Sequence, residues 1–187
     1  MTVHSAPTKM TYQDLLRLPE DRLRHELIEG EHIVSPAPTL RHQDVALNLA
    51  VALVAFVRPR ALGKVFMAPL DVLFSQLDVV EPDVLYVSKA NAHRLRERYV
   101  EGAPDLAVEV LSPSSARIDR VKKLRLYEKH GVREYWLADP AADTLEVYRL
   151  TAGGRLALEV TLSHAAGDVL KTPLLAGLRI ESSEIFG

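Results

Sequence analysis

The chain has 187 residues, 48% hydrophobic and 26% charged, the make-up of an ordinary globular domain and not of a disordered or fibrous one. It contains no cysteine, which excludes disulfide scaffolds, cysteine-ligated zinc and thiol nucleophiles. A formal net charge of −2, from 23 Lys+Arg against 25 Asp+Glu, lacks the basic excess that marks most nucleic-acid binders.

Met1 to Lys9 has no apolar core of the length a signal peptide needs, and residues 1–10 read as a flexible tail. Thr11 suits the N-cap of a short helix, Tyr12 to Leu18, stopped by Pro19. His25 to Val34 reads as a hairpin turning at Glu29-Gly30, where glycine supplies a positive φ. Pro36 and Pro38 break the chain, and Thr39 can cap a long helix reaching about Val57. Its most apolar part, Val45 to Val57, is too short for the ~30 Å of a bilayer core and reads as a buried helix. A soluble, cytoplasmic protein with no membrane segment is expected.

Strands follow at Val65–Ala68, Leu70–Phe74 and Val84–Val87, interrupted by a polar helical patch from Ala90 to Tyr99. Leu106 to Leu111 is apolar except for Glu109, the pattern of a central strand covered on both faces. Ser115 to His130 is an amphipathic helix, with Ile118, Val121, Leu124 and Tyr127 on its apolar face and Gly131 as its cap. Glu134–Ala138 and Leu145–Leu150 pair around Asp139-Pro140, and Arg155 to Ile180 offers further short strands. The sum is one mixed α/β domain over residues 1–187.

Two carboxylates sit where this pattern does not want them: Asp83, entering an apolar strand, and Glu109, inside one. An ionised carboxylate loses several kcal/mol of hydration on burial, so a cation, a retained proton or a divalent metal must compensate. If the two strands are neighbours, both side chains can converge on one ion. Two carboxylates, a backbone carbonyl such as that of Val110, and waters form the hard-oxygen set that Mg²⁺ prefers. Such an ion can activate water and offset charge developing on a phosphate.

The following helix supplies the cation. Asp119, Lys123 and Tyr127 lie along one ridge, so Lys123 leans inward while Lys122 and Arg125 point outward. Arg117, Arg120 and Lys122 belong to a local basic excess that could follow a phosphate backbone. Glu26, in the hairpin, and His42, in the first turn of the long helix, are accessory candidates. Asp105, at a strand start after Pro104, reads as turn chemistry, and Arg94, Arg96 and Arg98 as a solvated helix face. No glycine-rich phosphate loop, Gly-x-Ser-x-Gly elbow or His-Glu-x-x-His motif is present.

The ordered segments His25-Glu26-Leu27-Ile28-Glu29-Gly30-Glu31, Ser35-Pro36-Ala37-Pro38 with Arg41-His42-Gln43, Glu81-Pro82-Asp83-Val84, Pro104 to Ser115 and Gly131-Val132-Arg133-Glu134-Tyr135-Trp136 resemble the Uma-two family over about residues 12–150. These bacterial proteins are labelled putative restriction endonucleases and are similar to the PD-(D/E)XK nuclease superfamily. The resemblance implies a restriction-endonuclease-like core, a central mixed β-sheet flanked by helices, with additional hairpins. It implies a Mg²⁺- or Mn²⁺-dependent endonuclease acting on DNA, with Asp83 as metal-binding aspartate and Glu109 as the second acid. The superfamily lysine two residues after that acid is here Leu111, and the matching lysine is Lys123 on the next helix. A nuclease acting on RNA or branched DNA, or a nuclease-fold binding or assembly module without turnover, are the alternatives. A homodimer is expected, because two symmetric sites cut both strands of a duplex most simply.

Overall fold

The computed structural model describes residues 9–19, 21 and 23–187; the tail expected over residues 1–10 lies outside them except for Lys9 and Met10. Thr11 caps α1 (Tyr12–Leu15) with a reciprocal capping box to Asp14, and the helix ends sooner than Pro19 alone requires. A hairpin of β1 (Arg24–Ile28) and β2 (Glu31–Ser35) follows. Its turn residues, Glu29 at φ 54° and Gly30 at φ 78°, both lie in the left-handed region that matches the twist of the flanking strands. Thr39 then caps α2 (Leu40–Val57), accepting from the His42 N–H.

The middle of the chain forms β3 (Gly63–Met67), β4 (Asp71–Ser75), β5 (Asp78–Val80) and β6 (Val84–Ser88). After a short 3₁₀ turn come β7 (Tyr99–Glu101) and β8 (Leu106–Val110). A π-helical segment, Ile118–Lys123, runs straight into α3 (Leu124–His130), which Gly131 closes at φ 75°. The remainder is β9 (Glu134–Asp139), β10 (Thr144–Leu150), β11 (Leu156–Ser163), β12 (Val169–Leu170), β13 (Ile180–Glu181) and α4 (Ser182–Phe186).

Six strands make a mixed central sheet in the order β11-β10-β9-β8-β6-β3, with β8 and β9 parallel and the other neighbours antiparallel. A second sheet has the order β2-β1-β5-β4-β7. Alternation along β8 divides the molecule. Leu106, Val108 and Val110 face a core with α2 and α4, whereas Ala107 and Leu111 face a second core with Leu126, Tyr127 and Tyr135. The hairpin and the π segment cover the second face, and that is where Asp83 and Glu109 emerge.

Two expectations change and one strand is added. The polar helical patch expected from Ala90 to Tyr99 is a 3₁₀ helix confined to Lys89–Arg94, after which the chain leads into β7, with Arg94 and Arg96 bonding to the Ala103 and His93 carbonyls. β5, too short to show an alternating pattern, pairs with both β1 and β4. Val121, expected on the buried ridge, is 43% exposed, because the wider π turn rotates Asp119 and Lys123 inward in its place. α2 starts at Leu40, as the Thr39 cap predicts, ahead of its most apolar part, and its 18 residues with mean hydropathy 1.3 reach the length of a membrane span. Its buried side, from His42 through Val57, packs on the central sheet.

Candidate active site

β6 and β8 are antiparallel neighbours with Val84 opposite Val108. Continuing that register by one residue sets Asp83 opposite Glu109, on the strand face that carries Leu85 and Ala107 of the second core. Both are almost fully buried, at 4% and 2% exposure. The strand adjacency on which a shared site depends is therefore present.

Each acid has its own partners. Asp83 Oδ1 accepts from Arg24 Nη2 at 2.8 Å, and Asp83 Oδ2 accepts from the Val110 N–H at 2.8 Å. His42 Nε2 lies 3.3 Å from the same Oδ2. Burial alone would raise the Asp83 pKa, but the His42 contact, the Arg24 charge and the Val110 amide outweigh it and hold the group at about 2. Val110 thus meets Asp83 through its amide. Arg24 enters from β1, two residues before Glu26, so strand alternation puts both side chains on one face.

Glu109 Oε1 accepts from Lys123 Nζ at 3.0 Å and from the Tyr127 hydroxyl at 2.6 Å. Lys123 also reaches Glu26 at 2.8 Å and Asp119 at 3.6 Å, so three buried carboxylates surround one buried ammonium. Glu26 accepts a second bond from the Glu81 N–H at 2.8 Å, which ties the hairpin to the strand entry. Tyr135 donates to the Asp119 carbonyl at 3.1 Å, satisfying a carbonyl within the π turn. Leu111, on the same face of the strand as Glu109, is buried in the second core.

The charge count is uneven: among the described residues lining the cleft, Glu26, Asp83, Glu109 and Asp119 face only Arg24 and Lys123 as permanent cations. Burial pushes Glu109 well above the ordinary carboxylate range against the pull of Lys123, and Asp119, Asp83 and Glu26 push it the same way. Asp119 is raised by burial as well, again opposed by Lys123. For Lys123, burial works against the charged form, yet Glu109, Glu26 and Asp119 outweigh it and keep the ammonium above its ordinary value.

These groups line a cleft of about 200 Å³ together with Ser35–Thr39 and Ser112–Ser115. The segments Ser35-Pro36-Ala37-Pro38 and Ser112-Pro113-Ser114-Ser115, singled out in the sequence, thus line one opening. His42 Nδ1 is buried there without a hydrogen-bond partner among the described residues. The donor chemistry fits a hard divalent cation, since it consists of carboxylate oxygens with acid in excess. Among the described residues, no three His, Asp or Glu side chains converge as a ligand set, because Arg24 and Lys123 occupy the intervening space.

Of the residues expected at the site, Asp83, Glu109, Lys123, Glu26 and His42 line the cleft. Arg120 instead pairs with Glu146 and Asp139, and Lys122 with Glu31. Arg117 is exposed beyond the cleft lining. Three contributors escaped the sequence reading. Arg24 fell one residue outside the expected hairpin, Tyr127 reads as an ordinary apolar helix residue, and Asp119 was seen on the ridge of Lys123 but not as part of the site.

The family described as putative restriction endonuclease, Uma2, matches residues 12–182, about thirty residues beyond the resemblance visible by eye. Among solved structures the chain is similar to a putative nuclease belonging to DUF820 from Anabaena variabilis, with TM-score 0.78 and 24% identity over 95% of this chain and 97% of that one. That likeness is one of fold, and it agrees with the mixed α/β architecture. No curated protein matches the chain.

Proposed function

The chain belongs to the Uma2 family, and from that premise we propose that it is a Mg²⁺- or Mn²⁺-dependent endonuclease hydrolysing DNA phosphodiester bonds at the Lys123 cleft. One observation carries the reading: acids on adjacent central strands and a buried lysine share one solvent-facing cleft, with negative charge in excess. Asp83 and Glu109 would hold the metal, with the Val110 carbonyl as a further oxygen. When bound, the cation supplies positive charge against the phosphate and a water of lowered pKa.

The chain's own groups do the rest. Lys123 stays protonated, so it cannot take the proton of the attacking water; it orients that water and offsets charge developing on the phosphate. Glu26 and Asp119 hold the ammonium where Glu109 also reaches it. Arg24 and His42 keep Asp83 ionised and aimed into the cleft. Arg117, Arg120 and Lys122 are the proposed backbone contacts, the latter two after exchanging their present carboxylates for phosphates.

The test is cleavage of supercoiled plasmid with Mn²⁺ by wild type beside Asp83→Ala and Glu109→Ala. Activity in wild type alone supports the reading, whereas equal degradation by all three refutes it. A second reading, a module that binds without turnover, draws on the complete pairing of Asp83 with Arg24, His42 and Val110. Calorimetry separates the two, because only the nuclease reading requires Mn²⁺ uptake that Glu109→Ala abolishes.

A further inference from the structure

α2 carries a second stripe, on the side away from the core. Leu40, Asp44, Leu47, Val51, Val54 and Arg58 follow at intervals of four, three, four, three and four residues, which keeps them in line along one helix face. Leu40 is 86% exposed, Leu47 50% and Val51 58%. A lone exposed leucine is ordinary, but an aligned apolar row on a helix this hydrophobic marks an interaction surface.

The charges on the stripe select its occupant. Asp44 lies seven residues before Val51 and Arg58 seven after it. We propose that the stripe from Asp44 to Arg58 is the interface of a symmetric homodimer, covered by α2 of a second copy running antiparallel with the two-fold axis at Val51. That axis sets Asp44 against Arg58 of the partner subunit, and Leu47 against Ala55 of the partner subunit, each contact occurring twice. Parallel pairing would instead oppose Asp44 to Asp44 and Arg58 to Arg58, so charge decides the orientation. Both groups are available: Asp44 is 56% exposed and reaches only Arg41 of its own helix, at 4.0 Å, and Arg58 makes no ion pair among the described residues.

The stripe also adjoins the cleft. A groove lined by His42, Gln43, Leu47 and Met67 runs from Asp83 to Leu47 of the row. Dimerisation on α2 therefore brings the Asp83 end of each cleft toward the two-fold axis, an arrangement suited to a two-stranded substrate. The dimer itself does not rest on the nuclease reading. A single helix pair buries less than the ~1,000 Å² of a robust interface, so the dimer should dissociate in the micromolar range.

Sedimentation equilibrium of the full chain from about 1 to 200 μM tests this. Wild type is expected to pass from monomer to dimer, and Val51→Glu to stay monomeric with unchanged circular dichroism. Asp44→Arg and Arg58→Asp should each weaken the dimer about tenfold, and the double variant Asp44→Arg/Arg58→Asp should restore it. A wild type that is monomeric throughout, or a Val51→Glu variant that still dimerises, overturns the interface. A double variant no tighter than either single one overturns the antiparallel register.

Discussion

Asp83 and Glu109 stand opposite one another on neighbouring strands, yet they are held by different partners. Arg24 and His42 take Asp83, while Lys123 and Tyr127 take Glu109. The face between β6 and β8 is thus split into a strongly acidic aspartate and a glutamate whose proton is hard to remove. The first set is fed by β1 and α2, the second by the π turn and α3.

Lys123 is the most sensitive position of the cluster. Lys123→Met leaves Glu26, Glu109 and Asp119 buried together without their cation, and removing one partner of a buried ion pair costs about 3–5 kcal/mol. Urea unfolding at pH 7 without metal should show that loss. Because the stranded carboxyls can take up protons, part of it should return by pH 5.

Asp83 sets an acid limb of stability. Its folded pKa of about 2 lies below the ordinary 3.8, so the unfolded chain takes up the proton first as pH falls. Its contribution is complete above pH 3.8 and is lost as pH drops through about 2. It amounts to about 2 kcal/mol. In metal-free buffer, Asp83→Asn should flatten the fall in stability between those values, as read by chemical denaturation.

Glu81 works in the opposite direction. Burial, then Asp71 and Glu26, push it up to about 7, with Arg24 and Lys123 pulling it down. The folded chain therefore keeps a proton that the unfolded chain has released, and stability falls as pH rises from 4.5 to about 7. Glu81→Gln should be more stable than wild type by about 1–2 kcal/mol at pH 8 in metal-free buffer, after allowance for its partial exposure. At pH 4 the two should be equal.

Removal of the Tyr127 hydroxyl isolates one bond of the glutamate. Tyr127→Phe keeps the ring in the second core but deprives Glu109 of a 2.6 Å donor, for an expected loss of about 1–2 kcal/mol in thermal unfolding.

The proposed metal site predicts that Mn²⁺ registers as stability. At a Mn²⁺ concentration one hundred times its dissociation constant, wild type should gain about 2.7 kcal/mol, and Glu109→Ala should gain none. Thermal shift with and without Mn²⁺ reads both outcomes.

Much of this was legible because burial and charge conflict locally. Glu109 stood out inside an apolar run, Asp83 at the entry to another, and Lys123 on a ridge with Tyr127. The caps at Thr11, Thr39 and Gly131 and the turn at Glu29-Gly30 were readable for a related reason, since each satisfies a demand of its immediate backbone. Arg24 carried no such conflict: an arginine at a strand start reads as a solvated end until Asp83, 59 residues away, comes to meet it. The π turn was equally hidden, since the sequence from Ile118 to Tyr127 fits an α-helical ridge just as well.

By itself the sequence determined which groups had to be reconciled with burial, and so which strands and helix would carry the site; that follows from side-chain hydration and backbone periodicity, which act over a few residues. Only the tertiary structure decided who reconciles them. Asp83 opposes Glu109 through strand register, Lys123 gathers Glu26 and Asp119 through a widened helical turn, and the apolar row on α2 is left facing outward because the central sheet needs only its other side. Those choices depend on pairings between segments far apart in the chain, where no local residue pattern records the partner.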